Sequence, residues 1–258
     1  MSAYAVAWVC CVGFGAGWVR GFAGFGFSAL CMAGLAWLIS PALIASIVVS
    51  LEMVASLLLW RGSSAAADKS WLKTLLVVNA VTVPLGVALL LLVPMQPLRA
   101  VVAVLLFVAA FALRFLLHAD LKDTAQRRTL CGAVSGLVNG VAASGGVIAA
   151  MSISAAGMLA SQLRATMILY LLLTHIYILA SMLLDHVLSS HQSLPVAGNT
   201  LFNSQSELLA TALGLPMAAG IVLGRRKFQR TPAGDYRGFV LNLLMRMTSI
   251  SLLLVVAR

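Results

Sequence analysis

The chain has 258 residues, of which 62% are hydrophobic and 9% charged, with a mean hydropathy of +1.04, whereas an ordinary soluble domain carries roughly 25% charged residues. This excludes a soluble globular domain and predicts an all-α polytopic membrane protein, because backbone in hydrocarbon must satisfy its hydrogen bonds inside helices. The formal charge of +10 sits in a few short stretches between apolar segments, as in inner-face loops, so the expected partner is the lipid bilayer and not nucleic acid.

Residues 1–12 have no basic n-region and lead straight into a glycine ladder, so no cleaved signal is expected. The segment 3–40 is apolar throughout, is broken at Gly21-Phe22-Ala23-Gly24-Phe25-Gly26-Phe27, and is stopped by Pro41. A helix over 41–60 follows, ended by Arg61-Gly62-Ser63-Ser64; the next, over 72–93, carries Pro84 as an expected kink. Residues 94–97 read as a tight turn, 98–117 as a helix, and 118–128 as a polar linker at the half-way line. The second half repeats the order: 129–160 with a second glycine cluster, a helix over 162–184, a polar loop 185–206 without Lys or Arg, a helix over 207–224 carrying Pro216, a basic loop 225–237, and a last helix over 238–257.

The repeat is the main signal. Gly13, Gly17, Gly21 and Gly26 fall on Gly132, Gly136, Gly140 and Gly145 when the two copies are laid together. Glycine every fourth residue lets another helix backbone approach closely. The denser clusters, Gly21 to Phe27 and Asn139 to Gly146, weaken a helix and free backbone N–H and C=O groups. In lipid such groups persist only where protein buries them or where they line a wet cavity, as in many transporters. The competing reading is two tight helix crossings with no ligand.

We read one membrane domain over 1–258, made of a first repeat 1–117, a cytoplasmic linker 118–128 and a second repeat 129–258. The basic stretches 61–73, 118–128 and 225–237 face the cytoplasm by the positive-inside bias, and 185–206 faces out. Each glycine segment must then return to its starting side as a hairpin, re-entrant or fully spanning. With three further helices per half, this gives 8–10 membrane segments and two halves of opposite orientation, a recurrent plan for alternating access.

The candidate substrate contacts are Arg20, Gly21, Gly24, Phe25 and Gly26 in the first copy, and Asn139, Gly140, Ser144, Gly145 and Gly146 in the second. Arg20 stands where Asn139 stands in the repeat, and a cation beside free N–H groups would hold an anion. Glu52, mid-helix, reads either as a proton carrier or as the partner of Arg20. His175, with Thr174 and Tyr177 beside it, reads either as a proton relay or as a helix-to-helix hydrogen bond. Arg246 reads as structural, and Gln162, Arg164 and Thr166 as lining for a cytoplasmic vestibule. The two clusters are expected to face each other at one central depth and share a cavity.

Taken as an ordered set, Gly17-x3-Gly21 to Gly24-Phe25-Gly26-Phe27, Gly136-x3-Gly140 to Ser144-Gly145-Gly146, Pro84 and Pro216, and Leu98-Arg99 with Tyr236-Arg237 resemble the sulfite exporter TauE/SafE family, grouped with sulfonate-uptake permeases. The first copy departs from the family in having Gly26-Phe27 in place of a glycine pair, and in lacking the proline that often follows. The resemblance implies an inner-membrane transporter of small, often sulfur-containing, anions. Two other classes stand beside it. Ser144 before a glycine pair with His175 on the next helix suggests an intramembrane serine hydrolase, but residue 142 is alanine where Gly-x-Ser-Gly is wanted, and the duplication is left unexplained. A drug/metabolite-type inverted-repeat exporter shares the architecture without the doubled cluster. Cys10, Cys11, Cys31 and Cys131 have no metal or CxxC spacing, and there is no Walker loop, so no enzyme activity or cofactor is expected and an ion or substrate gradient would supply energy. A homo-oligomer is left open.

Overall fold

Eight helices and no strand make up the described residues of the computed structural model, 3–61, 63–92, 123–188 and 204–231. They are α1 (Ala3–Ala23), α2 (Phe27–Leu35), α3 (Pro41–Leu59), α4 (Lys69–Leu92), α5 (Ala125–Ala142), α6 (Gly145–Ala155), α7 (Ala160–Leu188) and α8 (Ser204–Arg230). The helices expected over 98–117 and 238–257, the turn 94–97 and Arg246 lie outside the described residues, as does most of the loop 185–206.

Local chemistry sets the boundaries. Pro41 opens α3 after an extended Ser40, where a missing N–H costs nothing. Asp68 caps α4 by accepting from the amides of Ser70 and Trp71, both at 2.9 Å, so this helix begins three residues earlier than its apolar stretch. Pro84 and Pro216 sit inside continuous helices. The loop expected over 225–237 begins as helix: α8 continues to Arg230, with Lys227 and Arg230 in its last turn, where cations meet the negative end of the helix dipole. α7 likewise runs on to Leu188, into the expected polar loop.

Two helix pairs are built alike. α1 and α8 run side by side in the same direction, with Gly13, Gly17 and Gly21 against the backbone of Leu213, Met217 and Ile221. From α8, Gly220 and Gly224 approach the backbone of Phe14 to Phe22 in return. α5 and α4 repeat this, with Gly132, Gly136 and Gly140 against Val78, Thr82 and Val83, and Gly86 against Leu137. The first helix of the chain therefore packs on the last described one. Between these pairs α3 packs on α7, α3 also meets α8, and α7 meets α4. Water does not drive this packing inside a bilayer; dispersion between closely approaching backbones does.

The short helices occupy the interior. Every residue of α2 is buried, as is every residue of α6 but Ile148. At about 1.5 Å per residue they are roughly 14 and 16 Å long, too short to cross a core of about 30 Å alone. By length and composition α1, α4, α7 and α8 can cross it. Their outward faces are apolar, with Val77, Val81 and Leu85 on α4 and Leu208, Leu215 and Val222 on α8 among the exposed side chains. Such faces suit lipid and not water.

One end of the bundle is basic. Here Arg128 pairs with Asp123, lies over the ring of Trp71 at 5.2 Å and donates to Ser70. The Trp71 indole N–H donates to Asp123 at 3.2 Å. The hydrogen bond from Arg128 holds the Asp123 carboxyl below its ordinary range. A carboxylate whose folded pKa is depressed stabilises the fold above its unfolded pKa, about 3.9, and loses that contribution as pH falls through the lower folded value. The pair is partly exposed, so solvent screening keeps its worth below about 1 kcal/mol. Asp123→Asn should lower thermal stability slightly at neutral pH, and the difference from wild type should shrink as acidification passes through the lowered Asp123 pKa; a difference that acidification leaves unchanged would contradict this assignment.

Candidate functional site

The first glycine cluster ends α1 and starts α2. Gly24 and Gly26 have φ of 83° and 93°, left-handed values that a side chain adopts only under strain. The break frees the carbonyl of Gly24, and the Arg20 guanidinium folds back to donate to it. Arg20 also donates to Ser56 Oγ at 2.5 Å. Its Nε stands 3.1 Å from Glu52 Oε2, an ionic contact in which the N–H is not aimed along the line of a hydrogen bond. The other carboxylate oxygen of Glu52 accepts from the amide of Ser28 at 3.2 Å, in the first turn of α2. Arg20, Glu52 and Ser56 are all 0% exposed. Of the two sequence readings of Glu52, the geometry gives the partner of Arg20.

Arg164, from the first turns of α7, closes the same turn from the other side. It donates to the carbonyls of Phe22 at 3.2 Å and Gly21 at 2.8 Å, with its guanidinium 4.5 Å above the ring centre of Phe228. These are last-turn carbonyls of α1, where a cation is favourable. Arg164 also lines a cavity of about 240 Å³ at the basic end with Arg61, Ser63, Ser161, Arg225 and Gln229. A second cavity beside it, about 420 Å³, shares Arg225 and Gln229. Thr166, fully buried, instead accepts from the amide of Asp68 at 2.9 Å and so ties α7 to the start of α4. Gln162 is exposed and lines neither cavity.

At the second cluster, Ala143 has φ 50° and donates its amide to Asn139 O at 2.8 Å, as Gly24 donates to Arg20 O at 2.9 Å. Ser144 is buried at the start of α6 and makes no side-chain cap there. The Asn139 side chain is 3% exposed, and neither amide atom has a hydrogen-bond partner. His175 is 0% exposed; its Nδ1 lies 2.6 Å from the carbonyl of Leu171, so that nitrogen carries the proton, and its Nε2 is without a partner. The Ser144–His175 hydrogen bond of a hydrolase is therefore not formed.

Other candidates have packing roles. Gly21 and Gly140 belong to the α1–α8 and α5–α4 crossings and not to the turns. Gly145 meets Ser135 and Asn139, Gly146 meets Leu171, and Phe25 is buried beside the first turn. The hydroxyl of Tyr177 donates to Ala80 O at 3.0 Å on the bundle surface. The two turns are not brought to one depth. Gly24 lies at Arg164, whereas Gly146, just after the second turn, lies at Leu171, seven positions or roughly 10 Å further along α7. Sequence reading missed a buried chain in which Ser135 donates to Gly145 O at 2.8 Å and lies 3.0 Å from the Tyr170 hydroxyl, which donates to Asn79 Oδ1 at 3.0 Å. Polar residues inside apolar helices were the signal that could have singled out Asn79 and Tyr170.

The sequence matches the family model "Sulfite exporter TauE/SafE" over residues 9–251. The chain belongs to the TauE/SafE family. TauE/SafE proteins are membrane transporters, not enzymes, and the apolar outer faces and buried broken helices agree with that class. Neither a curated protein nor a solved structure matches the chain.

Proposed function

We propose that this TauE/SafE member is a secondary transporter of a small, sulfur-containing or organic anion in the inner membrane, working by alternating access between two inverted halves. The observation that carries the sign of the substrate is Arg164. It lines a cavity with Arg61 and Arg225 and also holds the end of α1 two residues before the broken turn. A mouth walled by three guanidinium groups concentrates anions and repels cations. Behind it stand Arg20 and Gly24–Gly26, and deeper in the bundle Asn139 and Ser144–Gly146, which we place along the path. Arg20 would meet the substrate only when its pair with Glu52 opens, and this makes that pair a candidate coupling element.

Opposite orientation of the halves is supported by the parallel pairings of α1 with α8 and α4 with α5. In a background without native cysteines, Ser193→Cys should react with an impermeant thiol reagent from outside and Thr231→Cys only after permeabilisation. Labelling of both from one side would remove the inverted arrangement.

Function itself is tested by flux into reconstituted vesicles of sulfite, thiosulfate, methanesulfonate and acetate, with and without a pH gradient. At least one should move in a saturable way, and no flux of any would overturn the reading. Arg61→Gln with Arg225→Gln should raise KM roughly tenfold at low ionic strength with kcat nearly kept, and high salt should shrink the difference. A salt-independent loss of kcat would argue against the vestibule.

A further inference from the structure

The two broken hairpins carry the same scaffold and different side chains. Residues 119 apart play equivalent backbone roles: Gly24 and Ala143 are both left-handed, their amides bond to Arg20 O and Asn139 O, and α3 and α7 start at Pro41 and Ala160. In this register Arg20, Glu52 and Ser56 correspond to Asn139, Leu171 and His175. The correspondence is spatial as well. Glu52 stands at the first turn of α2, on the Ser28 amide, and Leu171 stands at the first turn of α6, where a methyl on Gly146 would lie 3.1 Å from its Cδ2.

In the first hairpin, then, the N-terminal turn of a short buried helix already holds an anion, the Glu52 carboxylate, with Arg20 and Ser56 completing the polar shell. In the second, the helix N-terminus is retained, but the carboxylate is replaced by leucine and the long guanidinium by a short amide. Asn139 Nδ2 and Oδ1 are left there with no partner, and His175 Nε2, one turn beyond Leu171 on α7, has none either. Buried polar atoms without partners are costly, and native proteins keep few of them without a use. First-turn amides of a helix lack intrahelical acceptors and attract anions.

The geometry points to a binding seat for a small oxyanion, about the size of a carboxylate, sulfite or sulfonate group, at the N-terminus of α6 between Asn139 and His175, with Glu52 as its built-in counterpart in the first hairpin. The oxygens would accept from the amides of the first turn of α6 and from Asn139 Nδ2. Asn139 Oδ1 and His175 Nε2 remain to take a hydroxyl proton of a hydrogen-bearing oxyanion or of an accompanying water. This inference rests on the transport reading and adds to it where the anion sits: one hairpin is filled from within by Glu52 in this structure and the other receives the cargo.

The test is saturable stabilisation of the purified full-length protein, read as the shift in Tm against concentration of sulfite, methanesulfonate or acetate, alongside vesicle flux of the same three probes. Asn139→Asp is nearly isosteric and places a negative charge in the seat; it should raise the apparent Kd at least tenfold. Leu171→Glu supplies the anion internally and should do the same. Should a lone buried glutamate prevent folding, the triple variant Asn139→Arg, Leu171→Glu, His175→Ser rebuilds the first hairpin's shell around it, and should be folded and blind to all three probes. Leu171→Gln, without the charge, should stay within about threefold of wild type. Wild-type flux with unaltered binding and transport in Asn139→Asp and the triple variant would overturn the seat and leave the transport reading standing. Absence of flux of every probe in wild type would overturn the transport reading, and the seat with it.

Discussion

Glu52→Leu should destabilise the protein by about 3–5 kcal/mol, because it strands the Arg20 guanidinium in a site fully closed to solvent. The substitution also removes the acceptor for the Ser28 amide at the start of α2, so the first turn loses its tie to α3 as well as its charge balance. Arg20→Met should cost a similar amount, since Glu52 is then the stranded ion and the freed carbonyl of Gly24 loses its donor. The double variant Arg20→Met with Glu52→Leu should recover much of the loss, because a buried pair exchanged for apolar side chains of similar volume is often near neutral. The three stabilities form a double-mutant cycle measurable by thermal unfolding in detergent. Additive losses would mean that the two side chains do not act as a pair. Flux separates stability from function: if the pair couples transport, the double variant should be folded and inactive.

Gly21→Ala should be among the most damaging single-methyl changes in the chain. The added carbon would meet backbone atoms of Ile221, at 2.8 Å from its Cα and nearer still to its carbonyl oxygen, and backbone cannot move aside as a side-chain tip can. α1 and α8 must separate along their length, so the loss should reach or exceed the top of the roughly 1–3 kcal/mol typical of overpacking. The rest of the ladder supplies the controls. Gly13→Ala, at 2.8 Å from Leu213 O, should cost less with transport per folded molecule nearly kept. Gly15→Ala has nothing within 4 Å and should be neutral or stabilise by about 0.5–1 kcal/mol through helix propensity. Equal Tm changes for Gly15 and Gly21 would refute close packing of this helix pair. Gly145→Val needs the same care: its side chain would strike Ser135 O and Asn139, so lost transport there counts only in protein shown to be folded.

What could be read from sequence alone was whatever depends on composition and local spacing. Hydropathy gave the membrane class, Pro41 and the glycine clusters gave helix ends close to those of α1, α2 and α3, and the doubled ladder with Pro84 and Pro216 gave the family. Arg20 and Glu52 stood out because ions in apolar segments are rare. The tertiary structure decided the rest. The four-residue ladder and the broken turns look alike in one dimension, since both are glycine-rich, yet Gly21 and Gly140 pack helices while Gly24 and Ala143 reverse the chain. The choice between Arg20 as open ligand and as partner of Glu52 turned on whether α3 brings the carboxylate to 3.1 Å, a distance between residues 32 positions apart. The depth of the two turns was equally invisible, because it is set by how α1 and α5 slide along α8 and α4 and not by any local residue. In sequence Asn139 stood out as a candidate substrate contact and His175 as a relay or a helix-to-helix hydrogen bond; only packing shows that burial has closed Asn139 Nδ2 and Oδ1 and His175 Nε2 off without supplying a partner.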